Sequence, residues 1–196
     1  MKTTVRTVAV ALLAGLAALL FLTGCASGGS TAPAPPAPAR VLSGDTAAKP
    51  ATVDAPIGTP DHITIPDVGV DANVAPISDT GSEIDPPSND DAYWWTQRGK
   101  PGSNDTVYLA GHTLDNGTGV FAAVQRSKPG EKITIDTSAG KRTYRITATA
   151  AYAKADLDRY DDVWAAVPGR LILVTCHLDN GAPTNDNFLV FATLIS

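Results

Sequence analysis

The sequence predicts an all-β domain of seven or eight short strands with one or two short helices, arranged as an antiparallel barrel or sandwich. Three observations lead there. Short β-branched runs alternate apolar with polar residues, as in Lys132-Ile133-Thr134-Ile135-Asp136 and Arg142 to Thr149. Turn residues break the chain at close intervals, among them Lys100-Pro101-Gly102-Ser103-Asn104 and Ser138-Ala139-Gly140. The stretches with helical character, Val120–Val124 and Ala155–Ala166, are both short.

The first segment stands apart from that domain. Met1-Lys2-Thr3-Thr4-Val5-Arg6 is a basic leader, and Val8–Leu22 is an apolar run of fifteen residues, short of the ~20 that a spanning helix needs. Together over residues 1–24 they describe an export signal. Leu22-Thr23-Gly24-Cys25 resembles a bacterial lipobox, which implies that Cys25 is acylated and that the rest lies outside the cytoplasmic membrane, anchored there by lipid. Residues 25–60 read as a flexible Pro/Ala-rich linker, because Ala32-Pro33-Ala34-Pro35-Pro36-Ala37-Pro38-Ala39 favours extended polyproline geometry and has little to bury.

The folded domain is then 61–196. His62-Ile63-Thr64-Ile65-Pro66 is an alternating strand closed by proline, and Asp67–Ile77 turns into a second. Tyr93-Trp94-Trp95 reads as core packing. Thr106–Ala110 is the next strand and ends at Gly111-His112-Thr113. Val120–Val124 makes one helical turn, and the runs from Lys132 and Arg142 form a hairpin. Ala155–Ala166 is a short helix or an irregular crossover. Leu171-Ile172-Leu173-Val174-Thr175 is a buried strand that stops on Cys176. A ten-residue polar loop, His177–Asp186, lets Asn187–Ile195 return antiparallel beside it.

The formal net charge is −5; without Lys2 and Arg6 of the leader it is −7, from 13 basic and 20 acidic residues. With no Lys/Arg cluster, that balance excludes a nucleic-acid partner. The sequence holds two cysteines. If Cys25 carries lipid, Cys176 is unpaired in a compartment where cysteines normally pair. A nucleophilic cysteine must be a thiolate, which an unperturbed thiol of pKa about 8.5 is only in small part at pH 7. A nearby imidazole corrects that. Of the three histidines, His62 reads as a surface residue, and His177, next to Cys176 along a strand, points to the opposite face. His112 ends a different strand at a similar strand–loop boundary and is the candidate partner. Nothing calls for a cofactor, and the histidines and cysteine lack the paired spacing of a zinc site.

Leu173-Val174-Thr175-Cys176 resembles the Leu-x-Thr-Cys signature of the sortases, and Leu109-Ala110-Gly111-His112 resembles the strand end that carries their histidine. Ile63-Thr64-Ile65-Pro66 with Gly69-Val70-Asp71-Ala72, then Pro101-Gly102, Gly119-Val120-Phe121 and Lys128-Pro129-Gly130-Glu131 match in order. Asp186-Asn187-Phe188-Leu189-Val190-Phe191-Ala192 looks most like actinobacterial class F, with class E second. The resemblance implies a closed sortase-type β-barrel and a cysteine transpeptidase. Cys176 would attack the threonine carbonyl of a Leu-Pro-x-Thr-Gly-like sorting signal in a secreted protein and form an acyl-thioester. His112 would protonate the leaving amine and deprotonate the incoming one, an amine such as that of a peptidoglycan stem peptide.

Two positions depart from the family pattern. Asn187 stands where sortases carry an arginine; its amide can still donate to an oxyanion, without the charge. Arg170 is no substitute, since six residues of strand put it roughly 20 Å from Cys176. The nucleophile is followed by His177 in place of a glycine or small residue. The alternative is a sortase-like binding lipoprotein with weak or no turnover, marked by Asn187. An L,D-transpeptidase is disfavoured for want of a Ser-His-Gly-Cys-like setting.

Overall fold

The computed structural model describes residues 35–36, 38–51, 54–78 and 84–196. The export signal and Cys25 lie outside the described residues.

Among the described residues there are nine strands: β1 Arg40–Gly44, β2 Pro60–Ile65, β3 Val70–Ile77, β4 Ala92–Trp95, β5 Val107–Ala110, β6 Lys132–Thr137, β7 Arg142–Ala153, β8 Arg170–Asp179 and β9 Ala182–Leu194. Eight of them close a barrel in the order β7-β6-β2-β3-β4-β5-β8-β9, with β9 returning to β7. The closed barrel expected from the sequence is therefore there. Two pairings, β3–β4 and β5–β8, are parallel, so the sheet is mixed and not wholly antiparallel. Among the described residues, helical structure is limited to 3-10 segments at Ala122–Arg126 and Lys154–Arg159 and to α1, Asp161–Trp164.

Two expectations need correction. Residues 25–60 are not all linker: β1 pairs antiparallel with β7, Arg40 opposite Ala151 and Gly44 opposite Ala148. The reason is an open edge. β6 covers β7 only from Arg142 to Arg145, and β1 occupies the same edge further along, satisfying backbone groups that would otherwise be a template for another chain. The strap continues through backbone bonds from Ala51 N to Pro168 O and Gly58 N to Pro101 O. The second correction concerns 177–186, which is not a ten-residue loop. β8 runs on to Asp179 and β9 begins at Ala182, with only Asn180 and Gly181 between, both at positive φ (51° and 81°). Two central residues at positive φ make the turn whose twist matches a hairpin.

The core has two layers. Ile63, Ile65, Leu109, Ile133, Ile135, Tyr144, Leu171, Leu173 and Val190 fill the barrel. Outside the wall, Tyr108, Tyr152, Tyr160, Val163, Ile172, Leu189 and Phe191 form a second cluster under the Lys154–Trp164 crossover. β8 is thus buried on both faces, which is why its sequence is a continuous apolar run without alternation.

Candidate active site

Strand alternation decides which side chains meet. On β8, Leu171 and Leu173 point inward and Ile172 outward, so the period of two carries Cys176 to the outer face. β5 lies parallel to β8 with Ala110 opposite Val174, and Gly111 N–H donates to Val174 O at 3.2 Å. Tyr108 belongs to the outer layer as Ile172 does, so His112 and Cys176 extend matching outward rows. β9 sets Asn187 directly opposite Cys176, and β7 sets Tyr152 opposite Asn187. The rows open on one cavity of about 860 Å³, lined by His112, Cys176 and Asn187 among others.

The strand ends are fixed by close backbone approaches. A Cβ on Gly111 would lie 2.7 Å from the Phe121 ring, and one on Gly119 (φ 108°) 2.5 Å from the His112 carbonyl. Phe121 N–H donates to that carbonyl at 3.0 Å. Beneath the site the buried hydroxyls of Thr113 and Thr175 share a hydrogen bond of 2.7 Å, linking the residue after His112 to the residue before Cys176. His112 Nε2 lies 2.7 Å from the carbonyl of Pro86 and 4.0 Å from an Asp85 carboxylate oxygen. A carbonyl only accepts, so Nε2 carries a hydrogen. Cys176 is half-buried and free, and Lys154 Nζ reaches its Sγ at 3.5 Å.

Aromatic residues line the same cavity. Tyr108 and Trp164 stack at 5.2 Å, and Trp95 meets both edge-on at 5.8 and 5.7 Å. Arg98 lies over the Tyr108 ring at 4.9 Å and is paired with Asp105 at 2.8 Å. The Arg98 hydrogen bond holds the Asp105 carboxyl below the usual carboxylate range. Burial pushes the Tyr108 phenol up, and its hydroxyl donates to Val163 O at 2.6 Å. Arg170, at the far end of β8, donates to Thr106 and to the carbonyls of Asp162, Val163 and Ala165. It anchors the crossover that roofs the cavity.

His112, Cys176 and Asn187 thus share one cavity. His177 does not. It is buried, stacked on Phe188 at 5.9 Å, with Nδ1 3.2 Å from Thr184 Oγ1. The Thr184 hydroxyl donates to His177 O, so the ring nitrogen is the donor to Thr184. Burial pushes the His177 imidazole pKa down. His62 is bound to Asp71 at 2.6 Å, on β2. Of Tyr93-Trp94-Trp95, the first two are buried, but Trp95 lines the cavity. Arg126, Arg142 and Arg145 are engaged with backbone carbonyls, and Arg159 with Asp156. Sequence reasoning missed Lys154, just ahead of the stretch it left as helix or crossover, and Trp164 within that stretch; no local motif marks either.

The Sortase domain family model matches residues 63–195. Solved structures share the fold. Sortase A of Listeria monocytogenes is 21% identical with a TM-score of 0.56, over 71% of this chain and 88% of that one. A Clostridium perfringens sortase D5 transpeptidase is 25% identical with a TM-score of 0.53, over 70% and 79%. Sortase C-1 of Actinomyces oris is 18% identical with a TM-score of 0.55, over 69% and 73%. No curated protein matches. With the family match spanning the whole barrel, and a free cysteine on its outer face, the chain belongs to the sortase family, the cysteine transpeptidases of surface proteins.

Proposed function

We propose that this chain is a lipid-anchored extracytoplasmic transpeptidase that cleaves a Leu-Pro-x-Thr-Gly-like sorting signal and passes the acyl group to an amine. One observation carries the proposal: Cys176 and His112 lie on the outward rows of two paired strands and line one cavity, backed by an aromatic wall. Sγ of Cys176 forms a bond to the threonine carbonyl carbon as the carbon–nitrogen bond breaks. The nitrogen leaves with the proton from His112, and an incoming amine returns a proton to His112 as it displaces the thiol. Asn187, across the strand pair from Cys176, offers amide hydrogens to the oxyanion. For His112 to act as the acid, its Nε2 hydrogen must leave the Pro86 carbonyl for the departing nitrogen. The leader, the Cys25 lipobox and the class F-like last strand support an anchored, actinobacterial-type member.

The test is incubation of the purified domain with a library of Leu-Pro-x-Thr-Gly-like peptides, read by intact mass. A thioester on Cys176 is expected, absent in Cys176→Ala although that variant melts where the wild type does. His112→Ala lowers the acylation rate by about 10²- to 10⁴-fold, and His177→Ala by much less. The reverse order of the two histidines overturns the assignment of the acid. Failure of every peptide to acylate the wild type favours a binding protein without turnover.

A further inference from the structure

We infer that Lys154 supplies the positive charge of this active site, contacting the Cys176 sulfur from the end of β7 and offering an ammonium to the tetrahedral oxyanion. The inference rests on the transpeptidase reading and adds a catalytic residue to it.

The row across the barrel wall shows how the lysine reaches the sulfur. Cys176, Asn187 and Tyr152 lie side by side on β8, β9 and β7, and neighbouring strands are ~4.8 Å apart. Lys154 follows Tyr152 by two residues, so it continues the same outward row one step beyond the end of β7. Tyr152 is two strand spacings from Cys176 and Lys154 lies two residues further along, a gap that the lysine stem and the cysteine side chain cover together. Its Nζ is 3.5 Å from Sγ. Among the described residues no other side-chain donor makes a hydrogen bond to that sulfur.

Charge around the cavity makes the contact consequential. Asp85 and Asp158 line it, each a carboxylate that would oppose a thiolate. Arg98 also lines it, but its guanidinium is committed to Asp105 and to Trp164 O. Asn187 is neutral. His112 holds its proton for the leaving nitrogen, so Lys154 is the permanent cation left in the cavity to balance sulfur, and an ammonium carries three donors. One can hold the thiolate. As the sulfur bonds to carbon and its charge passes to the carbonyl oxygen, the ammonium needs only to swing to that oxygen. When the oxyanion collapses, the carbon–nitrogen bond breaks and His112 supplies the proton to the amine, so Lys154 neither gains nor loses one. A positive charge that the family carries on the last strand is thereby provided from the strand beside it.

Two readouts test this on Lys154→Met and Lys154→Arg, with melting curves to establish folding. The first is the ratio of Cys176 alkylation rates by anionic iodoacetate and neutral iodoacetamide, which needs no peptide. A cation ~4 Å from sulfur should favour the anion, so the ratio is expected to fall about fivefold in Lys154→Met and recover in Lys154→Arg. The second is acyl-thioester formation, expected to drop about 10²-fold in maximal rate in Lys154→Met with little change in the half-saturating peptide concentration, and to recover largely with arginine. Peptides accepted by the wild type with neither readout moved by Lys154→Met would overturn the inference. A fallen ratio in a protein whose wild type accepts no peptide would sink the transpeptidase reading instead, and leave the charge assignment standing.

Discussion

Two histidines with the same side chain are given opposite surroundings by strand parity. His112 is turned outward into the cavity; His177 is turned inward, stacked on Phe188 and bonded to Thr184. The sequence alone separates them, because alternation along a strand is independent of what the strand packs against. Burial keeps His177 neutral, with a folded pKa below its ordinary value of 6.5. Below that value the unfolded chain binds the extra proton, so stability falls as pH drops through 6.5 and levels off below the folded pKa. Urea unfolding at a series of pH values is expected to show this loss, at most about 1.4 kcal/mol per unit for one proton. His177→Gln should flatten it.

At the scale of the element, the strand pair β5–β8 is what makes a site of separate residues. The buried Thr113–Thr175 bond ties the two strand ends under His112 and Cys176, which gives the threonine before the cysteine a physical reason. Thr175→Val keeps the shape but strands the Thr113 hydroxyl. It is expected to lower unfolding free energy by about 1–3 kcal/mol in urea titrations and to slow acylation, because the ends are no longer held in register. Much of this element level was legible. The apolar run to Cys176, the β6–β7 hairpin and the strand ending at His112 all follow from local pattern. The β8–β9 hairpin was less so: Asp179-Asn180-Gly181 is a hairpin-turn sequence, yet its flanks, Cys176–Leu178 and Pro183–Asn187, carry a register irregularity that erases alternation. Lys154 and Trp164 were illegible for a different reason. Their partners lie on strands distant in sequence, and neither the 3-10 segment that opens on Lys154 nor the four-residue α1 that ends on Trp164 is long enough to show a period.

Over the whole barrel, the strands close by pairing, and an edge that β6 leaves bare, the second half of β7, is covered by β1. That strap was invisible in the sequence, since Arg40–Gly44 is mostly exposed, with Val41 and Leu42 half in water, and so shows no buried face. A chain beginning at residue 54 keeps all eight barrel strands and is expected to lose about 2 kcal/mol of stability, from a few backbone bonds. Sedimentation should show it self-associating through the bared edge of β7. Unchanged melting and a strictly monomeric truncated form would mean that β1 is ornamental.

The direction of β1 has a consequence for handling the molecule. Arg40 sits beside Ala151, three residues from Lys154, and within 4.0 Å of Asp179 at the hairpin tip, so the polypeptide enters the domain at the mouth of the cleft. Ser196 lies at the opposite pole, its carbonyl bonded to Thr143 N, some ~26 Å away along β7. A fluorescent protein or surface-coupling handle joined after Ser196 leaves the doorway clear, whereas the same cargo spliced just ahead of Arg40 stands where an arriving client must pass.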